Sequence, residues 1–138
     1  MGTGRGGNFG KTKGYILQKK LGESRWIQGT LEYNAHQMTG MYSVNANGYF
    51  GINTGHRHVR KIISDKPLKS AYSFFHQLVK GNTPEPLSSK KGWIVKMLDG
   101  YIVTIRDHSN SDGSPAIDIH IRGKCKTIKD QKIHFTKE

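Results

Sequence analysis

In the stretch SPAIDIHI, residues 114–121, Ile117, Ile119 and Ile121 alternate with Asp118 and His120. Side chains along a strand point to opposite faces with a period of two, so this pattern predicts a strand with one buried and one polar face. The run QKIHF repeats it, with Ile133 and Phe135 on one side and Lys132, His134 and Thr136 on the other. GWIVKML and YIVTIR flank Asp99-Gly100, a hairpin signal, because Asp-Gly favours the positive φ angles of a type I′ turn. A two-residue turn sets Leu98 opposite Tyr101 and Trp93 opposite Arg106. In the second strand Tyr101, Val103 and Ile105 form the apolar set, leaving Ile102, Thr104 and Arg106 on the other face.

PLKSAYSFFHQLVKG follows a different period. Leu68, Ala71, Tyr72, Phe75, Leu78 and Val79 fall at helical spacing; Pro67 suits a first helical position, Ser64 or Asp65 a cap, and Gly81 the end. From Gly14 to Gly55 the pattern is mixed: YILQKK, RWIQGTLEY and MYSVNANGYFGI read as strands, while a helix around residues 32–39 competes with them. NTPEPLSSKK reads as a loop. The sum is an α+β domain, a helix followed by a four-strand antiparallel meander, with one or more strands added by the first half.

A chain of 138 residues suits one domain with a real core. Residues 1–13 are glycine-rich and carry Arg5, Lys11 and Lys13, which predicts a flexible basic arm before a single domain over 14–138. The formal G-x-G-x-x-G at Gly2, Gly4 and Gly7 has no strand before it to aim a phosphate loop, so it is set aside. With 22 Lys and Arg against 10 Asp and Glu, the net charge of +12 predicts a polyanionic partner, nucleic acid first. One cysteine, Cys125, excludes an internal disulfide and argues against a multi-cysteine zinc site. No apolar run is long enough to span a bilayer, and MGTGRGGNFGKTKG has no hydrophobic signal core.

Charge changes the picture most at the polar face. If the meander pairs simply, Thr104, Arg106, Asp118, His120, Lys132, His134 and Thr136 share it, with Trp93 near Arg106. Antiparallel sheets often solvate one face with ordinary polar residues. A cation fork, a lysine and two imidazoles on three strands form a more particular set. Cleaving RNA without metal needs a base for the 2′-hydroxyl proton, an acid for the leaving 5′-oxygen, and fixed positive charge at the phosphoryl oxygens. Histidine serves as acid or base near neutral pH, and Arg grips phosphate through two parallel hydrogen bonds. The ten acidic residues are scattered, which disfavours two-metal catalysis. TGHRHVRK, residues 54–61, places His56 and His58 on one face if extended, with Arg57 and Arg60 nearby. The pair reads as catalytic groups, a phosphate clamp, a partial metal site or a plain basic loop.

GYIVTIRDHSNSDGSPAIDIHI followed by KIHF, roughly residues 92–136, resembles the C-terminal nuclease domains of bacterial polymorphic toxins carried by contact-dependent, Rhs, WapA-like and LXG-type effectors. It is similar to those of the barnase, EndoU, colicin and RelE-like ribonuclease fold, and GHRH resembles the histidine-bearing region of EndoU-like toxins. The resemblance implies an antiparallel twisted sheet packed on N-terminal helical elements. It also implies a metal-independent endoribonuclease without cofactor, often acting on tRNA in a target cell's cytoplasm after delivery within a larger secreted effector, and neutralised by an immunity protein. Carried over by motif, Arg106, Ser111 and Ser114 of R-x-x-S-x-S-x-G-S and Lys132 and His134 of K-I-H-F lie at the site; Asp107 and His108 depart from the pattern. The full expectation is catalysis by His56 or His58 with His134, charge stabilisation by Arg106 and Lys132, and substrate contacts from Thr104, Ser111, Ser114, His120 and Trp93. A non-catalytic nucleic-acid-binding module and a metal-dependent DNase using His56 and His58 are the competing readings. The +12 charge makes an acidic immunity protein the natural inhibitor.

Overall fold

The computed structural model describes residues 27–89, 91–110, 112–121, 125 and 127–138. The expected glycine-rich arm, the YILQKK strand and Ser111 lie outside the described residues. The described chain is α+β. Its elements run α1 (Leu31–Gln37), a 3₁₀ turn (Gly40–Tyr42), β1 (Ile52–Asn53), β2 (Val59–Ile63), α2 (Pro67–Leu78), β3 (Glu85–Pro86), β4 (Gly92–Lys96), β5 (Ile102–Arg106), β6 (Ala116–His120) and β7 (Gln131–Thr136). The strands form one sheet in the order β1-β2-β7-β6-β5-β4-β3. All neighbours are antiparallel except β2 and β7, which run parallel. The meander β4 to β7 is therefore as the alternation predicts. The first half adds an edge, β1 and β2, whose parallel join is not visible in the sequence.

The register separates the two faces. Val95, Val103, Ile105, Ile117, Ile119, Ile133 and Phe135 are buried, forming one core with Ala71, Phe74, Phe75 and Leu78 of α2 and Leu31 and Ala35 of α1. Phe74 packs edge-on against both Phe50 and Phe135. Pro67 opens α2, but the cap residue is Lys66 and makes no side-chain bond to the helix. Ser64 instead accepts the Lys66 amide at 3.1 Å. Leu68, assigned to the apolar stripe, is exposed.

Between RWIQGTLEY and the competing helix, the helix forms. Thr30 caps α1 by accepting the Tyr33 amide, and Asp99 reaches from the β4–β5 turn to accept the Leu31 amide at 2.9 Å. That contact accompanies a change in the hairpin. Met97 pairs with Tyr101, Gly100 has φ +88°, and its amide reaches the Met97 carbonyl, so the turn has three residues, Leu98-Asp99-Gly100. The expected pairs shift by one: Trp93 lies opposite Ile105, and Gly92 opposite Arg106. Trp93 consequently projects to the helix side of the sheet, not to the polar face.

Candidate active site

The face away from the helices collects the residues that alternation assigned to it. Ile102, Thr104 and Arg106 of β5 pair with His120, Asp118 and Ala116 of β6. Asp118 and Ala116 pair in turn with Lys132 and His134 of β7. The parallel join then adds Lys61, which pairs with His134. Arg106 and His134 flank the same small residue, Ala116, and so stand two strand spacings apart, roughly 10 Å.

His134 is held in one orientation. It is 8% exposed, and its Nδ1 lies 2.9 Å from the Ser114 hydroxyl, 3.5 Å from that of Ser109 and 3.4 Å from the Asp112 carboxylate. Ser114 donates to Asp112 Oδ1 at 2.6 Å, and Ser109 donates to the same oxygen at 2.8 Å. The Ser114 amide adds a third bond at 2.9 Å. These bonds, the Ser114 hydroxyl first, hold the Asp112 carboxyl well below the usual carboxylate range. An ionised carboxylate only accepts, so the single Ser114 proton belongs to Asp112 and Ser114 must accept from His134 Nδ1–H. This fixes the tautomer and leaves Nε2 as the nitrogen at which a proton can be exchanged. The same logic excludes Ser114 as a His-activated nucleophile, since the nitrogen facing it is a donor.

The loop that builds this clasp is short and self-bonded. The Ser109 amide meets the Ser114 carbonyl at 2.7 Å, and the Gly113 amide meets the Ser109 carbonyl at 3.1 Å. At its start Asp107 accepts the Tyr72 hydroxyl of α2 at 2.5 Å. Burial, then the bond to Asp107, pushes the Tyr72 hydroxyl up to about 12. The helix thus anchors the end of β5 just past Arg106, while His108 is left exposed.

Beside His134 lies a cleft of about 450 Å³ lined by His56, Lys61, Asp112 and Lys132 as well as Thr54 and Val59. His56 sits on a loop tied by the Thr54 hydroxyl, which accepts the His56 amide and donates to the Val59 carbonyl. The structure thus brings together His56, His134 and Lys132, with Arg106 beyond Ala116. His58 does not join them. Its backbone takes φ +62°, its Nδ1 lies 2.8 Å from the Tyr49 hydroxyl, and its Nε2 accepts from Arg57 Nε at 3.1 Å. With both nitrogens engaged, His58 is a poor proton shuttle and a poor metal ligand. Arg60 is likewise structural: it donates to the Phe50 and Gly51 carbonyls and lies over the Tyr49 ring.

Thr104 and His120 line a separate depression with Arg106. Trp93 is 39% exposed but belongs to the opposite face. Asp112, Ser109 and Lys61 are contributors that sequence reading missed. The S-x-x-D-x-S spacing of residues 109–114 was the available signal for the first two. Lys61 becomes visible only through the parallel pairing of β2 with β7. Among the described residues, no three His, Cys, Asp or Glu side chains are grouped so as to hold a metal ion, and no helix is long and apolar enough to cross a membrane. No family model, curated protein or solved structure matches this chain.

Proposed function

We propose that this chain is a metal-independent endoribonuclease domain of the polymorphic-toxin kind, of the barnase, EndoU, colicin and RelE-like group, cutting RNA and foremost tRNA. The 2′-hydroxyl attacks the adjacent phosphate, the 5′-oxygen leaves, and a 2′,3′-cyclic phosphate remains. His134 through Nε2 and His56 across the cleft are the proton-transfer pair, one taking the 2′-hydroxyl proton and the other protonating the leaving oxygen. Lys132, Lys61 and Arg106 meet the charge that builds on the phosphoryl oxygens. Ser114, Ser109 and Asp112 orient His134 and do not touch substrate.

The observation that carries this reading is the clasp on His134 Nδ1, which turns one imidazole nitrogen toward a cleft holding a second histidine and two lysines. A buried core histidine has no need of a carboxylate and two hydroxyls arranged to fix its tautomer beside an open, cationic cleft. The engagement of both His58 nitrogens takes support from the metal-dependent DNase reading. An acidic immunity protein covering this face is the natural inhibitor, since the +12 charge favours fast association with it.

Incubation with total tRNA in excess EDTA tests the proposal. Fragments ending in 2′,3′-cyclic phosphate are expected. Cleavage that requires added Mg²⁺ or Zn²⁺, or salt-sensitive binding without any cleavage, would overturn it.

A further inference from the structure

The open face carries a second depression, of about 460 Å³, which the proton-transfer chemistry does not use. Leu87, Ile94 and Ile102 give it apolar walls, and Thr104, Arg106 and His120 supply hydrogen-bonding groups. Thr104 is only 4% exposed, and it lines this depression between Ile102 and Arg106. Its hydroxyl can both donate to and accept from a bound group at that wall. The walls decide what that group is. Bare phosphate gains nothing from leucine and isoleucine, whereas a flat heteroaromatic ring covers apolar surface and offers a polar edge.

We propose that this depression is the subsite for one unpaired nucleobase of RNA next to the cleaved phosphate, and that Thr104 reads the edge of that base. The assignment rests on the ribonuclease reading. Thr104 and Arg106 are successive residues on the open side of β5, and only Ala116 separates Arg106 from His134. A phosphate between Arg106 and His134 therefore has its neighbouring base directed along β5 into the depression, with His120 on the far wall. Bases within a duplex do not splay out in this way, so the substrate is a loop or single strand. The hydroxyl is both donor and acceptor, so the identity of the preferred base follows from the edge that Thr104 and His120 together satisfy.

The test uses eight oligonucleotides, each with one ribonucleotide in a deoxy background on the 5′ side of the cleaved bond: four vary the base of that ribonucleotide, and four vary the base on the 3′ side. The wild-type protein in EDTA is expected to favour one base at one of the two positions. Thr104→Val should lower kcat/KM for that base by on the order of ten-fold, the loss of one hydrogen bond, and flatten the preference. Thr104→Ser, which keeps the hydroxyl, should preserve it. Equal cleavage with all four bases, or a uniform loss in Thr104→Val, overturns the subsite and leaves the ribonuclease standing. No cleavage of any substrate defeats the ribonuclease reading. In that event, titration of the histidine ring protons with the four nucleoside 3′-monophosphates decides the subsite. A shift of His120 that Thr104→Val abolishes supports it, and no shift overturns it.

Discussion

On the helix side of β5, β6 and β7, Val103, Ile105, Ile117, Ile119, Ile133 and Phe135 are fully buried against α2. On the other side lie the alternate residues of the same strands, of which Arg106, His120, Lys132 and His134 face open depressions. The apolar face binds the fold together by removing surface from water. The polar face contributes little of that, and among the described residues it carries two lysines, an arginine and two histidines. The buried core and the proposed site are thus divided by the pleat, one residue apart.

Phe135 and His134 are the sharpest pair on which to break this division. Phe135→Ala removes a ring from the middle of the core and should cost about 3–5 kcal/mol, read as a large drop in the denaturation midpoint, with activity lost only through unfolding. His134→Ala should leave the midpoint close to wild type and lower cleavage on the order of 10²-fold or more. If the two substitutions gave the same pattern, the two-face account would fail.

A smaller effect is expected at the clasp. Asp112→Asn keeps the shape but removes the acceptor charge, and should reduce kcat on the order of ten-fold with little change in KM. Its pH dependence follows from the lowered carboxyl of Asp112. A depressed carboxylate adds stability that is complete above its unfolded pKa and is lost only as pH falls through the lower folded value. Asp112 is therefore still ionised in mild acid and does not itself supply an acid limb there. The acid limb should persist in Asp112→Asn.

The faces of the meander were legible because strand alternation is local: Ile117 to Ile121 and Lys132 to Thr136 declare their sides without reference to anything distant. The helix α2 was legible for the same reason. What stayed hidden depended on contacts between remote segments. The β4–β5 turn holds three residues, with Asp99 bonded to the start of α1, so Trp93 moved to the helix side. VRKII was not read as a strand, and its parallel partner lies some seventy positions on, so Lys61 went unnoticed. His58 was grouped with His56 by spacing, but its positive φ and its bonds to Tyr49 and Arg57 turn it away. Asp112 sat in a loop where Asp-Gly reads as turn chemistry, although here the carboxylate also orients an imidazole.

The most direct measurement is kcat/KM for RNA cleavage against pH, in EDTA, for the wild type, His56→Ala and His134→Ala. Two imidazoles acting as base and acid predict a bell-shaped profile, with one limb missing in each variant and a different limb in each. A profile whose shape neither substitution alters would contradict proton transfer by this pair.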